Sequence, residues 1–254
     1  MPTQTDTYPD LGSGRLDAGP RFERDDRRTR DRDLLPRDLL TAEERFAVRL
    51  AGLAALPLDG AVLSHAFGAL LADGMAPGFA EDILVQMAAY LGYPRAAKAL
   101  DALRRAGPLP AAEPTVELAD LADPTDEERY RRGTGDYARI NATALETIQA
   151  AFGELAGDLV RITFRSFGDV FASSRQPLPV RQLATVAALG VLGGAAPQLR
   201  FHIAAALHVG VTRDQLVEAI VWVQYLAGMP AAYNALVELK GALAAGADAP
   251  PAYR

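Results

Sequence analysis

The chain has 254 residues, half of them apolar, and carries 26 basic against 32 acidic side chains for a net charge of −6. That acidic balance gives no general attraction to a phosphate backbone and argues against nucleic acid as a partner. There is no cysteine, which excludes disulfides, thiolate nucleophiles and CxxC redox chemistry together.

Residues 1–33 end in RFERDDRRTRDRD, where six arginines face five acids. Such a segment has almost nothing to bury and reads as a disordered or loosely packed charged tail. Residues 34–107 form a first helical unit. Thr41 followed by Glu44 is a capping box, in which hydroxyl and carboxylate each satisfy an orphan N–H of the first turn. Amphipathic stretches follow near 59–73, 78–91 and 94–106, punctuated by Gly74, Gly92 and Pro94. Pro108, Pro110 and Pro114 mark residues 108–122 as a linker with little helical capacity.

A second unit is expected over 123–245, opened by Asp123 and Pro124 as cap and first helical position. Its helices are predicted near 124–152, 155–173, 178–192, 196–209, 213–226 and 230–245, with Thr212 and Gln215 as another capping box. Residues 246–254 are left as a short tail. Valines and isoleucines recur at spacings of three and four rather than alternating, so the fold class expected is all-α. No apolar run reaches the roughly 18 residues of a membrane span, and the N-terminus lacks the form of a signal peptide, so a cytoplasmic location and no membrane partner are expected.

The two units resemble each other. Residues 45–104 lie on 181–240 at a constant offset of 136 without a gap, pairing Arg45 with Arg181, Leu63 with Leu199, Gly74 with Gly210, Gly92 with Gly228 and Pro94 with Pro230. The pattern predicts a tandem repeat of one helical scaffold. The histidines break it, since His202 falls opposite Ala66, and His65 opposite Phe201. A displacement of one residue turns a side chain by about 100° on a helix. One working site per chain is expected, in or bordering the second unit. Three histidines, His65, His202 and His208, are too few and too poorly spaced for a metal centre, so no metal and no cofactor is expected.

The stretch LRFHIAAALHVGVTRDQLVEAIVWVQYLAGMPAAYNAL, residues 199–236, resembles the carboxymuconolactone decarboxylase family, which includes the alkylhydroperoxidase D proteins. The shared elements are His202 eight residues before Gly210, the capped start at Thr212, Glu218 inside the next helix, and the turn Gly228 to Ala232. RYRRG at 129–133 and RITFRSFGDVFASS at 161–174 resemble the longer decarboxylase-type members, so the likeness covers about 123–245. It implies an alkylhydroperoxidase D-like helical fold. The peroxidase branch carries CxxC where this chain has Ala195 and Gln198, so thiol peroxidase chemistry is excluded. The cysteine-free branch implies loss of CO2 from a lactone acid followed by proton delivery.

The resemblance makes His202 the expected proton donor, because an ordinary imidazole holds or releases a proton near neutral pH. Glu218, surrounded by apolar neighbours, is either an inward acid or base, an orienter of His202, or an outward surface charge. Gln198, Trp222 and Tyr225 are expected to line a pocket, with core packing the rival reading for the two aromatics. Arg161 and Arg165, one turn apart, either bind a substrate carboxylate or sit solvated on the surface. The function expected is a cofactor-independent lyase acting on a small cyclic acid or lactone, by decarboxylation or a related proton-shifting dehydration, isomerisation or cyclisation. The alternative is a non-catalytic small-ligand-binding or structural protein. Partners expected are a small-molecule substrate and further copies of the chain, a homotrimer first and a dimer next.

Overall fold

A computed structural model describes residues 38–107, 125–172 and 176–246. The expected tail 1–33 and linker 108–122 lie outside the described residues, as does nearly all of 246–254. Every regular element among the described residues is a helix, with no strand among them.

The first helix, α1 (Ala42–Ala55), opens with the expected capping box. Glu44 N–H donates to Thr41 Oγ1 at 3.2 Å and Thr41 N–H to Glu44 Oε2 at 2.7 Å. Next, α2 (Gly60–Ala72) is capped by Asp59, whose Oδ1 accepts from Ala61 and Val62. It stops at Gly74, where φ of +105° is affordable without a Cβ. Met75 N–H then reaches Leu70 O and Gly74 N–H reaches Leu71 O. The stretch expected as one helix over 78–91 is divided into α3 (Pro77–Gln86) and α4 (Ala88–Leu91). At the join the ladder tightens, with Tyr90 N–H bonding Met87 O three residues back. After Gly92 comes α5 (Tyr93–Ala106).

Residues 125–172 hold α6 (Asp126–Ala138) and α7 (Ala144–Ala172). The break at 139–143 corrects the expected continuous helix over 124–152. Asn141 causes it, since its Oδ1 accepts from Thr143 N–H and Oγ1–H and offers the backbone a turn in place of a further helical bond. The boundary expected near 153 is instead a kink inside α7, where Ala156 has φ −151° and ψ 57°. α6 and α7 cross closely at two glycines. A Cβ on Gly133 would strike the carbonyl of Phe164, and one on Gly168 the carbonyl of Arg129. Gly133 therefore serves helix packing.

The remaining helices are α8 (Leu178–Leu192), α9 (Ala196–His208), α10 (Arg213–Ala227) and α11 (Met229–Ala245). Their bounds track the first unit at the same offset. α2 and α9 coincide at both ends, α3 and α10 begin alike, and so do α5 and α11. The stop after α9 repeats as well, with Gly210 at φ +97°, Val211 N–H on Ala206 O and Gly210 N–H on Leu207 O.

Among the described residues, two apolar cores hold the helices. The larger gathers Ala47, Leu50, Ala51 and Ala54 of α1, Leu63, Phe67 and Leu70 of α2, Ile83, Leu84 and Leu103, and Val180, Ala184 and Ala188 of α8. Alanines where α1 meets α8 let the two backbones approach closely. The smaller core joins Tyr137 of α6 and Phe164 and Phe167 of α7 to Phe201 and Ala205 of α9. It brings α6 and α7 against the helix that carries His202.

Candidate functional site

His202 lies in the middle of α9, 4 % exposed. Its ring meets Tyr90 of α4 edge-on at 5.0 Å between centroids and Phe201 at 4.9 Å. One polar partner is recorded, Gln182 of α8, whose Oε1 lies 2.9 Å from Nδ1. An amide oxygen only accepts, so Nδ1 is the donor and Nε2 keeps its lone pair. Burial pushes the imidazole pKa down to about 3. This corrects the expected titrating donor, because removal from water disfavours the imidazolium and leaves the ring neutral at pH 7.

Behind His202 a buried polar cluster joins α8 to α3 and α4. Gln86 Nε2 donates to Thr185 Oγ1 at 2.8 Å and to Arg181 O at 3.0 Å, while Arg181 Nε donates to Gln86 Oε1 at 3.2 Å. Thr185 returns its hydroxyl proton to Arg181 O. Burial lowers the Arg181 pKa to about 10, which leaves the guanidinium charged at neutral pH. The Tyr90 hydroxyl is buried beside Thr185 and Arg181, and burial raises its pKa, so it remains a donor.

None of Gln86, Tyr90, Arg181, Gln182 and Thr185 was singled out as a site residue in the sequence. The signal that points to them is polar type inside an apolar run. In α8 every residue from Val180 to Gly190 is buried, yet that run includes Arg181, Gln182 and Thr185.

Glu218 is fully buried, and its recorded partners lie at the start of α1. Oε2 accepts from Leu39 N–H at 2.7 Å and Leu40 N–H at 3.2 Å, and Oε1 lies 3.9 Å from Arg45 Nη1. Burial corrects the outward charge, and the partners at the start of α1 correct the orienter of His202: Oε2 takes both backbone donors, while Oε1 faces the Arg45 guanidinium without a hydrogen bond. At the matching place in the first unit, Asp82 accepts from Gln176 Nε2 at 3.0 Å, just before α8.

The other expected site residues are dispersed. Gln198, one turn before His202 on α9, is exposed. Trp222 is buried under the guanidinium of Arg49, 5.0 Å from the ring centroid. Tyr225 is largely exposed and meets Trp222 edge-on. Arg161 pairs with Glu127 at 3.1 Å and covers the Tyr130 ring, and Arg165 pairs with Asp126 at 3.1 Å. Both arginines thus tie α7 to α6 on an exposed face.

The helical fold and the buried histidine on α9 define the region in which likeness to known proteins is found. Residues 158–247 match the model of the carboxymuconolactone decarboxylase family. That span takes in the last part of α7 and all of α8 to α11, with His202, Gln182 and Glu218 inside it. Over 116 residues the chain is 29 % identical to 4-carboxymuconolactone decarboxylase of Acinetobacter baylyi, covering 44 % of this chain and 84 % of that protein. Among the described residues, no helix is long and apolar enough to cross a membrane.

Proposed function

We propose that the chain is a cofactor-independent lyase or isomerase acting on a small cyclic acid or lactone, with His202 as the group that moves the proton. The observation that carries this reading is the buried, neutral His202, fixed at Nδ1 by Gln182 and walled by Tyr90 and Phe201, within the segment similar to a decarboxylase family. A neutral imidazole in such surroundings is a base before it is an acid. For decarboxylation the substrate enters as its carboxylate, the form an acid holds at neutral pH, and Nε2 takes up one proton from solvent as the anion binds beside it. The carboxylate then leaves as CO2 with its bonding electrons on carbon, and the imidazolium gives its proton to that carbon. The acid is converted to CO2 and the protonated ring with no oxidant or reductant. A proton-shifting isomerisation uses the same base on a carbon acid.

Glu218 takes no part in this reading, because its carboxylate holds the start of α1. The relative's name makes carboxymuconolactones the first substrates to try. Turnover of a panel of lactone acids, followed by CO2 release and by solvent-deuterium incorporation, tests the proposal. His202→Ala should lower kcat by about a hundred-fold or more, within the range for a positioned proton-transfer group. Full turnover by a folded His202→Ala protein defeats the mechanism, and ligand binding without turnover favours the non-catalytic alternative.

We further infer that 34–107 and 123–245 are two units of one scaffold, supported by the matching helix bounds, and that the chain assembles as a homotrimer, with a dimer next. Exposed Met229, Tyr233 and Val237 along α11 offer an apolar stripe for such contacts.

A further inference from the structure

Gln182 and Tyr90 both touch His202, and each has a buried polar atom for which the fold supplies no regular hydrogen bond. Gln182 gives its carbonyl oxygen to His202 Nδ1, while its Nε2 has no acceptor. Tyr90 rests its ring on His202, and its buried hydroxyl leans on Thr185 beside Arg181 without a hydrogen bond of regular geometry. Thr185 donates to Arg181 O at 3.0 Å and accepts from Gln86 at 2.8 Å, which leaves it one lone pair for a weak contact with Tyr90. Buried donors in native proteins almost always find good acceptors, so the orphaned Gln182 Nε2 and the weakly held Tyr90 hydroxyl, both on residues that touch one histidine, point to an acceptor that arrives with the ligand. The guanidinium of Arg181 beside Tyr90 adds positive potential. Two donors and a nearby cation suit a group that only accepts and is negatively charged, which is a carboxylate.

We propose that Tyr90 Oη and Gln182 Nε2 form a carboxylate-binding pair beside His202, so that α4 of the first unit supplies a substrate-contacting residue to a site whose histidine lies on α9. The assignment rests on the reading of His202 as the reacting group and specifies its ligand as a small cyclic carboxylate. In that arrangement the bound anion offsets the imidazolium that forms on His202, which burial otherwise disfavours.

Isothermal titration of the full chain with sodium 2-furoate and with uncharged 2-furamide at pH 7 tests it by binding alone. Furoate should bind about ten-fold or more tightly than the amide. Tyr90→Phe keeps the ring against His202 and should weaken furoate binding by roughly ten- to hundred-fold, the value of one hydrogen bond to a charged group. Gln182→Glu keeps an acceptor for His202 Nδ1 but faces the ligand with a negative charge, and should abolish binding. Circular dichroism melting checks that both variants fold. The proposal is overturned if the wild type binds no furoate at millimolar concentration, if 2-furamide binds equally well, or if Tyr90→Phe stays within about two-fold of wild type. Carboxylate binding through Tyr90 without turnover of any lactone acid leaves this inference standing and removes the lyase reading. Turnover that depends on His202, with furoate binding unchanged in Tyr90→Phe, does the reverse.

Discussion

A neutral histidine sealed among aromatic rings makes its own signature in the pH dependence of stability. The imidazole has a pKa of about 3 in the folded chain and near 6.5 when unfolded. Above pH 6.5 neither state binds the proton, and this group leaves stability flat. Between 6.5 and 3 the unfolded chain takes up a proton that the folded chain refuses, so stability falls as pH falls. One proton sets the limit of that slope at about 1.4 kcal/mol per pH unit. Urea unfolding of wild type and His202→Gln between pH 7.5 and 4.5 should show a steeper acid decline in the wild type, and identical slopes would contradict a desolvated His202. The sequence could nominate His202 but not its protonation state. That state depends on Tyr90 and Gln182, which reach it from other helices.

At the scale of elements, what was legible was what is local. The capping boxes at Thr41 and Thr212, the Asp59 to Gly74 helix and its counterpart ending before Gly210 depend on residues a few positions apart, and they are found where the sequence places them. The break at Asn141 was missed because helical periodicity runs on either side and neither Gly nor Pro marks the turn. The sequence left Glu218 open between an inward and an outward place because its partners lie 178 and 179 residues away, at the start of α1. Its carboxylate closes two backbone N–H groups and faces Arg45, so Glu218→Ala should destabilise the protein by about 3 kcal/mol, with two donors and a cation left facing a cavity. Glu218→Gln preserves an acceptor and should cost about half as much. Denaturant midpoints measure both, and a neutral Glu218→Ala would show that the start of α1 is held by other contacts.

For the whole molecule, the two halves share more than a boundary. Glu218 of α10 faces Arg45 of α1, while Gln86 of α3 hydrogen-bonds Arg181 of α8. Within the matched spans 45–104 and 181–240, each thus sends its third helix to the first helix of the other. Such reciprocity is what a two-fold interface between like subunits shows, and it supports the proposal of two units of one scaffold. A chain that already contains one such contact needs half as many copies to close a ring of given size, which is the basis for placing a trimer ahead of a dimer. Size-exclusion chromatography with light scattering should give about three times the 27.0 kDa chain mass, and a clean monomer would remove the proposal. The 136-residue offset recurs in the helix bounds, where α2 and α9 coincide at both ends. The crossing of the helices was not legible in the sequence, because it arises from pairings between halves that no local pattern records.

The alanines between α1 and α8 also constrain how this chain can vary. Ala47, Ala51, Ala54, Ala184 and Ala188 are buried in a seam between two helices, so a larger side chain on one helix presses on the backbone of the other. Enlargement there is tolerable only when the facing helix gives up volume in the same step. The two helices are thereby bound to change together along that seam.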